Sequence, residues 1–429
     1  MSKFVITGGV PLRGTITASG NKNAALKLIP ACILTDQPVV LHNIPTIQDV
    51  KNTLLIMSDL GADVTKLGPG SWRIHAKNIQ KTELDSMLAG RTRASFVFAG
   101  PMLARMGKIT LPIPGGDVIG ARPLDTHVQA LRALGTQIEV EQGVFTMSVE
   151  KLQGAGSLLL AEASVTATEN AIMAAVLASG ETIIDNAASE PHVRDLCHFL
   201  NMLGADIAGI GTNHLIINGV ERLNGGEFTM GADFMEVGSF IGAAAVTGGE
   251  IRIRNADPQN LGMVRLVYEK IGVHWLEEGN DIIVPPGQPL RIDSALGGRI
   301  LSVKPMPWPG FPPDLMSIAV VMATQASGSI ILHDWMYESR FFFVDNLVFM
   351  GARIVLCDPH RVLVQGPARL YASPHGVPSP DVRAGMAMVL AALCAEGTSV
   401  IHNIQQIDRG YEQIEHKLQS LGAQVERVS

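Results

Sequence analysis

The chain has 429 residues, of which 47% are apolar and 17% are charged, so we expect a folded protein with a large core rather than a disordered chain. The net charge of −7 argues against a general nucleic-acid binder, and 5% aromatic residues offer few stacking surfaces for bases. The four cysteines lack CxxC spacing, and the first residues contain no apolar signal region. We therefore expect a cytoplasmic protein with reduced thiols and no membrane span.

The first predicted element is the strand FVITGG, which we expect to pair with the second domain because the last repeat would otherwise lack a strand. Segments rich in Ala, Leu and Met then recur along the chain, are apolar nearly all round, and predict buried helices. They are AALKLIPACILTD, ASFVFAGPMLARMG, TENAIMAAVLASG, VGSFIGAAAVTGG, MSIAVVMATQASG and AGMAMVLAALCAEG. Strand-like runs follow most of them and end on a polar residue, at Asn43, Asn186, Asn255, Asp334 and Asn403.

A second signal recurs with the same period, a glycine after an amphipathic helix and before a strand. These glycines are Gly61, Gly135, Gly204, Gly272, Gly351 and Gly422, and we interpret them as helix C-caps. Two signals in register indicate six copies of one α/β unit. The expected division is a first domain of residues 22–230 and a second domain formed by 1–21 plus 231–429, with three repeats in each.

Polar residues begin each of the buried helices. They are Lys22 with Asn23, Arg93, Ser164, Glu236, Asp314, and Asp381 with Arg383. A helix N-terminus favours acids, so the three basic residues run against that preference and indicate sites for an anion such as phosphate or carboxylate. The alternative, that a nearby acid neutralises each of them, stays open at this point.

A second ring of cations follows in the loops after the strands. Arg122, Arg340 and Arg409 occupy matching places in repeats two, five and six, and the first of them closes a glycine-rich loop over about 113–123 that is typical of a lid. An ordinary surface turn is the alternative for this loop. No spacing suggests a metal site, and no P-loop, dinucleotide or serine-hydrolase motif is present, so we expect no cofactor.

The motifs SGNKNAAL, RTRAS, GGDVIGARPLDTH, PGFPPD, ESRF, SPDVRAG and IDRGYE resemble those of the UDP-N-acetylglucosamine 1-carboxyvinyltransferase family over essentially the whole chain. The resemblance implies an inside-out α/β barrel fold with two domains of three βαβαββ units that close over the ligands. It also implies transfer of the enolpyruvyl group of phosphoenolpyruvate to the 3′-hydroxyl of UDP-N-acetylglucosamine, through a tetrahedral intermediate and with release of phosphate. No metal or cofactor is implied.

The resemblance also implies roles for individual residues. Asp314 would accept the hydroxyl proton, and Asp381 lies in the family's second acidic position. The implied phosphoenolpyruvate contacts are Lys22, Asn23, Arg122, Arg340, Arg383 and Arg409, of which Lys22, Asn23 and Arg409 are also expected to take part in catalysis. The implied UDP-sugar contacts are Arg93, Arg122, Pro123, Leu124, Asp125, Thr126, Glu162, Ala163, Ser164, Val165, Asp314 and Met336.

One departure from the family concerns Asp117, which replaces the lid-loop cysteine that most members use as the proposed proton donor to C3. An aspartate needs a raised pKa to donate a proton at neutral pH, whereas a thiol is already protonated there. We therefore expect fosfomycin, which alkylates that cysteine, to leave this enzyme active. The alternative is that Asp117 is a turn residue and another group supplies the proton.

Two other functions remain open from the sequence. The chain could pass enolpyruvyl to a different nucleotide sugar or to a shikimate-like acceptor, although the GARP and PGFPPD motifs favour UDP-N-acetylglucosamine. It could also be a non-catalytic regulator that binds the UDP-sugar, although Lys22, Arg409 and Asp314 are all retained. The sequence does not fix the oligomeric state, and a monomer is compatible with it.

Overall fold

The chain forms two compact units, and the computed structural model describes residues 2–116, 120 and 122–428. The unit that we call terminal comprises residues 2–19, 120 and 232–428, and the unit that we call inserted comprises 20–116 and 122–231. The backbone passes from one to the other between Ser19 and Gly20, and again between Gly231 and Ala232. Each unit encloses a hydrophobic core of its own.

Strands and helices alternate along both units. The strands of the first part of the chain are β1 (Lys3–Thr7), β2 (Arg13–Thr17), β3 (Val39–His42), β4 (Asp63–Gly68), β5 (Ser71–His75), β6 (Lys108–Pro112), β7 (Gln137–Glu141), β8 (Val144–Ser148), β9 (Gly156–Leu159), β10 (Glu181–Asp185), β11 (Asp206–Ala208), β12 (His214–Asn218) and β13 (Gly226–Thr229). Those of the remainder are β14 (Glu250–Arg254), β15 (Leu276–Glu278), β16 (Asp281–Val284), β17 (Leu301–Val303), β18 (Gly328–His333), β19 (Arg353–Asp358), β20 (Arg361–Gly366), β21 (Val377–Pro378), β22 (Thr398–His402) and β23 (Gln424–Val428).

The helices are α1 (Lys22–Ala31), α2 (Gln48–Leu60), α3 (Ser86–Ala89), α4 (Ala99–Met106), α5 (Asp125–Ala133), α6 (Val165–Ala175), α7 (Pro191–Met202), α8 (Phe234–Thr247), α9 (Gly262–Glu269), α10 (Met316–Gln325), α11 (Val344–Phe349), α12 (Val382–Cys394) and α13 (Ile414–Ser420). Short 3-10 turns lead into two of the buried helices, at Arg93–Phe98 before α4 and at Pro313–Leu315 before α10. No helix in the described ranges is long and apolar enough to cross a membrane.

The terminal unit places its apolar helices inside and its sheets outside. Helices α8, α10 and α12 are buried over nearly their whole length and pack against one another. Within the described residues, the sheets around them have the strand orders β21-β22-β1-β23, β15-β16-β14-β2 and β17-β18-β20-β19. Strand β1 pairs antiparallel with both β22 and β23, which confirms the prediction that the N-terminal strand completes the last repeat.

The inserted unit repeats this plan. Helix α6 packs against α4, and both α1 and α6 contact the Arg93–Phe98 turn, so the predicted apolar helices again form the interior. The sheets of its described part have the orders β13-β3-β5-β4, β6-β8-β7 and β11-β12-β10-β9. The mixed α/β fold expected from six repeats is therefore confirmed, with buried helices because their sequences are apolar on every face.

The repeated turn residues have the same conformation in successive repeats. All six glycines predicted as helix caps have positive φ angles, between 87° and 106°, and only glycine adopts this region without a Cβ penalty. The strand-terminal residues Asn43, Asn186, Asn255 and Asn403 also have positive φ, at 61°, 59°, 52° and 59°. Asparagine tolerates the left-handed region better than most residues, which explains its recurrence at this position.

Candidate active site

In the inserted unit, Lys22 is the first residue of α1, directly after the N-cap Asn21, whose side chain accepts the Ala24 N–H at 3.1 Å. The Lys22 ammonium lies 2.9 Å from a carboxylate oxygen of Asp49, and both side chains are almost entirely buried. Asp49 belongs to the first turn of α2, where a negative charge is favourable. An ammonium has three N–H donors, so Lys22 can bond a ligand phosphate while it remains paired with Asp49.

Arg93 begins the Arg93–Phe98 turn, which Thr92 caps by accepting the Ala94 N–H at 3.3 Å. Its guanidinium donates to the backbone oxygens of Arg122 and of Pro123, the latter at 3.3 Å. Arg93 therefore lies against the stretch 122–126, which the family resemblance implies as UDP-sugar contacts together with Arg93.

The predicted UDP-sugar contacts at 162–165 lie next to the segment 122–126. The Thr126 hydroxyl donates to the Glu162 carboxylate at 3.2 Å, and the Ser164 N–H donates to the Glu162 carbonyl at 2.7 Å. Leu124 and Asp125 form the start of α5, and Ala163 and Val165 flank Ser164 at the start of α6. The segments 122–126 and 162–165 thus lie side by side at the beginnings of two helices.

A buried histidine supports this pair of segments. His127 Nε2 lies 2.9 Å from the Thr166 hydroxyl, and its Nδ1 lies 2.9 Å from the Asn170 amide nitrogen. Burial, with a further contribution from the Arg93 charge, lowers the pKa of His127 to about 3, so the ring is neutral at physiological pH. An amide N–H donating to Nδ1 leaves the ring proton on Nε2, where it donates to Thr166. Thr166, in the first turn of α6, is thereby connected to α5.

The loop expected to act as a lid is described only at its ends, and Asp117 lies outside the described residues. At the near end, a Cβ added to Gly115 would lie 1.8 Å from the Gly90 carbonyl oxygen, so the backbone passes too close for any side chain. Gly116 has a φ of 124°, which other residues rarely adopt. Two of the glycines in this loop are therefore required by close packing and backbone conformation.

In the terminal unit, Asp314 lies in the turn before α10 and binds two arginines. Its oxygens accept from Arg340 Nη2 at 3.3 Å and from Arg383 Nε at 3.0 Å. Both arginines are almost fully buried, whereas about a third of the Asp314 side chain is exposed. The Arg383 guanidinium also stacks over the Tyr411 ring, 5.3 Å from its centroid. The predicted base and two of the predicted cations are thus brought into one cluster.

The remaining predicted residues of this unit lie on other helix starts and loops. Asp381 is the N-cap of α12, and one of its oxygens accepts the N–H groups of Arg383 and Ala384, at 2.7 and 2.9 Å. Arg409 ends a 3-10 turn and donates to the Gln406 side chain at 3.0 Å. The Met336 N–H donates to the Asp334 carboxylate at 3.0 Å.

Sequence reasoning missed two acids that partner these cations, Asp49 and Asp334. A signal for Asp49 existed, because it occupies the place in repeat one that Arg340 occupies in repeat five. In repeat one, the basic residue Lys22 at a helix start pairs with the acid Asp49 in the first turn of the next helix. In repeat five, the acid Asp314 near a helix start pairs with the base Arg340. The same ion pair is therefore present in both units with its charges reversed.

The sequence as a whole identifies the family. The sequence profile of EPSP synthase (3-phosphoshikimate 1-carboxyvinyltransferase) matches residues 6–418, and the chain belongs to that family. Within the described residues, no group of three or more His, Cys, Asp or Glu side chains is placed to hold a metal ion.

Within this family of enolpyruvyl transferase enzymes, the chain is similar over its full length to proteins of one name. The chain is 51% identical over 426 residues to the UDP-N-acetylglucosamine 1-carboxyvinyltransferase of Treponema denticola, with 99% of each chain covered. It is 52% identical over 425 residues to the protein of that name in Treponema pallidum, again with 99% of each covered. The resemblance that the sequence motifs indicated is confirmed.

Solved structures confirm the fold. The enolpyruvyl transferase NikO from Streptomyces tendae superposes with a TM-score of 0.88 at 21% identity, over 100% of this chain and 99% of that one. An EPSP synthase from Acinetobacter baumannii gives a TM-score of 0.75 at 18% identity, with both chains covered completely.

Proposed function

We propose that this protein transfers the enolpyruvyl group of phosphoenolpyruvate to the 3′-hydroxyl of UDP-N-acetylglucosamine and releases phosphate, the first committed step of peptidoglycan synthesis, in the cytoplasm. The observation that carries the proposal is full-length identity of about half to relatives with that name. The lysine and arginine side chains within the family motifs also support it, because both substrates are anionic.

Phosphoenolpyruvate would be held by cations. Lys22 stands at the start of α1, where free N–H groups and the helix dipole add to its charge, and this supports a contact with the phosphate group. We assign Asn23, the next residue of α1, as a second phosphoenolpyruvate contact. We assign Arg122 and Arg409 as further cations that bind phosphoenolpyruvate. Arginine suits carboxylate and phosphate because its planar N–H donors bind them in pairs.

Asp314 would accept the proton of the 3′-hydroxyl as that oxygen attacks C2 of phosphoenolpyruvate. The two buried arginines orient its carboxylate, and the partial exposure of the side chain leaves room for a ligand. Arg340 and Arg383 would also offset the negative charge of the ligands. Asp381, as the cap of α12, holds the backbone of Arg383.

The nucleotide sugar would lie against the starts of α5 and α6. The segments 122–126 and 162–165, held together by the Thr126–Glu162 hydrogen bond, present backbone and side-chain groups suited to uridine and diphosphate. Arg93 would support them, and we assign Met336 as a further UDP-sugar contact.

Asp117 would donate the proton that C3 receives. The expected consequence is that fosfomycin does not inactivate the enzyme. Asp117→Asn should lose most turnover, whereas Asp117→Cys should retain turnover and become sensitive to fosfomycin. Turnover of the Asn variant at the wild-type level would remove Asp117 from the chemistry, and a covalent fosfomycin adduct on the wild-type lid would contradict the predicted resistance.

The decisive assay is phosphate release from phosphoenolpyruvate with each acceptor in turn. Release that depends strictly on UDP-N-acetylglucosamine supports the proposal. Release with 3-phosphoshikimate, or with another nucleotide sugar, would instead assign a different acceptor. Tight binding of UDP-N-acetylglucosamine without release under any condition would favour a regulator over an enzyme.

A further inference from the structure

Asp334 departs from the pattern of its repeat counterparts. It follows β18 at the position that Asn43, Asn186, Asn255 and Asn403 occupy after their strands, and those four residues have positive φ. Asp334 is not among the residues with positive φ. A left-handed turn therefore accounts for asparagine at the four other positions but not for aspartate at 334. The negative charge at this position must have a different role.

The contacts of Asp334 supply that reason. One carboxylate oxygen, Oδ1, accepts the N–H groups of Met336 and Tyr337, at 3.0 and 3.2 Å. The other, Oδ2, lies 3.5 Å from Arg340 Nε. The separation exceeds that of a charge-assisted hydrogen bond, so the second contact is an ion pair. The carboxylate thus connects the Met336 loop to the Arg340 guanidinium.

Both partners of this ion pair are deeply buried. Asp334 is 0% exposed and Arg340 is 2% exposed. Burial raises the pKa of Asp334, and the Arg340 charge and the two backbone N–H groups oppose that rise. The main chain of Asp334 is fixed as well, since its N–H donates to the His360 carbonyl and its carbonyl lies within hydrogen-bonding distance of His360 Nδ1, each at 2.8 Å.

Arg340 consequently has carboxylates on two sides, Asp314 towards the partly exposed side and Asp334 in the interior. A buried guanidinium needs compensating charge. The Asp381 carboxylate also contributes to this compensation, but the carboxylates of Asp314 and Asp334 lie within 3.5 Å of the guanidinium. With Asp334 present, Arg340 is held in place even when Asp314 takes up a proton or contacts a ligand.

We propose that Asp334 is a positioning residue, which fixes the Arg340 guanidinium and the Met336–Tyr337 backbone for the ligands. The inference rests on the proposed function, in which Arg340 and Met336 face phosphoenolpyruvate and the UDP-sugar. It assigns a functional role to a residue that contacts neither substrate in that proposal.

The test uses Asp334→Asn in the full-length protein. The amide oxygen can still accept from Met336 and Tyr337, but the charge opposite Arg340 is gone and an N–H₂ group faces the guanidinium. We expect kcat to fall about tenfold or more, because small displacements of a positioned group cost up to about a hundredfold. KM for UDP-N-acetylglucosamine should change little, whereas Asp334→Ala, which also loses the backbone acceptor, should raise it.

A double-mutant cycle distinguishes action through Arg340 from general damage. In an Arg340→Gln background, the additional loss of kcat from Asp334→Asn should disappear. An undiminished loss in that background, or wild-type kcat in the single Asn variant, would overturn the inference. If the Asn variant does not fold, Asp334→Ser keeps a smaller oxygen acceptor and enters the same cycle.

Asp358→Asn is the matched control. Asp358 ends β19 in the same sheet, accepts the His360 N–H at 2.8 Å and pairs with Arg361 at the surface. This variant should keep wild-type kcat and KM. Failure of the wild-type enzyme itself to release phosphate would contradict the proposed function, a result separate from any effect of the Asp334 variants.

Discussion

The pair Lys27 and Glu169 offers a quantitative test of how burial competes with ion pairing in the inserted unit. Glu169 lies on α6 with 0% exposure, and the Lys27 ammonium on α1 is 3.3 Å from its carboxylate. Burial raises the pKa of Glu169 to about 8, and Lys27 opposes the rise without cancelling it. The perturbation is Glu169→Gln, which mimics the protonated acid at every pH.

The sign of the effect follows from the raised pKa. The folded protein holds a proton on Glu169 that the unfolded chain loses above about 4.5, so the contribution of Glu169 to stability is full below that pH and is lost towards pH 8. The slope approaches about 1.4 kcal/mol per pH unit. Between pH 4 and pH 7 the wild type should therefore lose about 3 kcal/mol relative to the Gln variant.

Urea unfolding at pH 4, 5, 6, 7 and 8, followed by far-UV circular dichroism, measures this difference. Subtracting the free energy of unfolding of the Gln variant from that of the wild type at each pH removes the contribution of all other titrating groups. Glu181→Gln, an exposed glutamate at the start of β10 in the same unit, is the control and should leave the slope unchanged. If the ion pair outweighed burial, Glu169→Gln would instead cost about 3 to 5 kcal/mol near pH 8, which would refute the reasoning.

Three further predictions follow from the described contacts. Asp49→Asn should raise the KM for phosphoenolpyruvate about tenfold, because Lys22 loses the carboxylate that orients its ammonium; steady-state kinetics measures this. A thiol reagent should label the exposed Cys357 in the native protein and not Cys197, because burial raises the pKa of Cys197 to about 12; mass spectrometry of peptides checks this. Gly115→Ala should reduce turnover at least tenfold, because its Cβ would overlap the backbone of residue 90; the phosphate-release assay reports it.

The two substitutions have matched control variants, and Cys197 and Cys357 serve as each other's control in the labelling experiment. Asp59 lies on α2 like Asp49 and forms a partly exposed ion pair with Lys81. Asp59→Asn removes this pair and should leave the KM for phosphoenolpyruvate unchanged. Gly262→Ala adds a Cβ with no atom within 4 Å and should be tolerated. Equal effects of the paired variants, or labelling of Cys197 at the rate of Cys357 without denaturant, would contradict the corresponding prediction.

Much of the fold could be predicted because it repeats. The six helix-capping glycines and the all-apolar helices recur in register, and repetition separates such signals from chance. The partners of the charged residues could not be predicted in the same way. Asp49 looks like an ordinary acid in the first turn of a helix, and only the packing of α1 against α2 places it beside Lys22.

For the candidate site, too, the residues could be predicted from the sequence but their contacts could not. The sequence indicated Asp314, Arg340 and Arg383 separately, and the structure joins them through one carboxylate. Pairing of this kind depends on side chains from distant segments, so spacing along the chain does not reveal it. His127 has no neighbouring acid at metal-ligand spacing that would single it out in the sequence, yet its bonds to Thr166 and Asn170 connect α5 and α6.

The position after β18 has an evolutionary consequence. In four other repeats this position holds an asparagine that shapes a turn, and codons for asparagine and aspartate differ by a single nucleotide. At each copy of the turn, a single nucleotide change therefore separates the asparagine from an aspartate. Repeat five has aspartate at this place, so a counter-ion for Arg340 is available from a position that serves only the turn in the other four repeats.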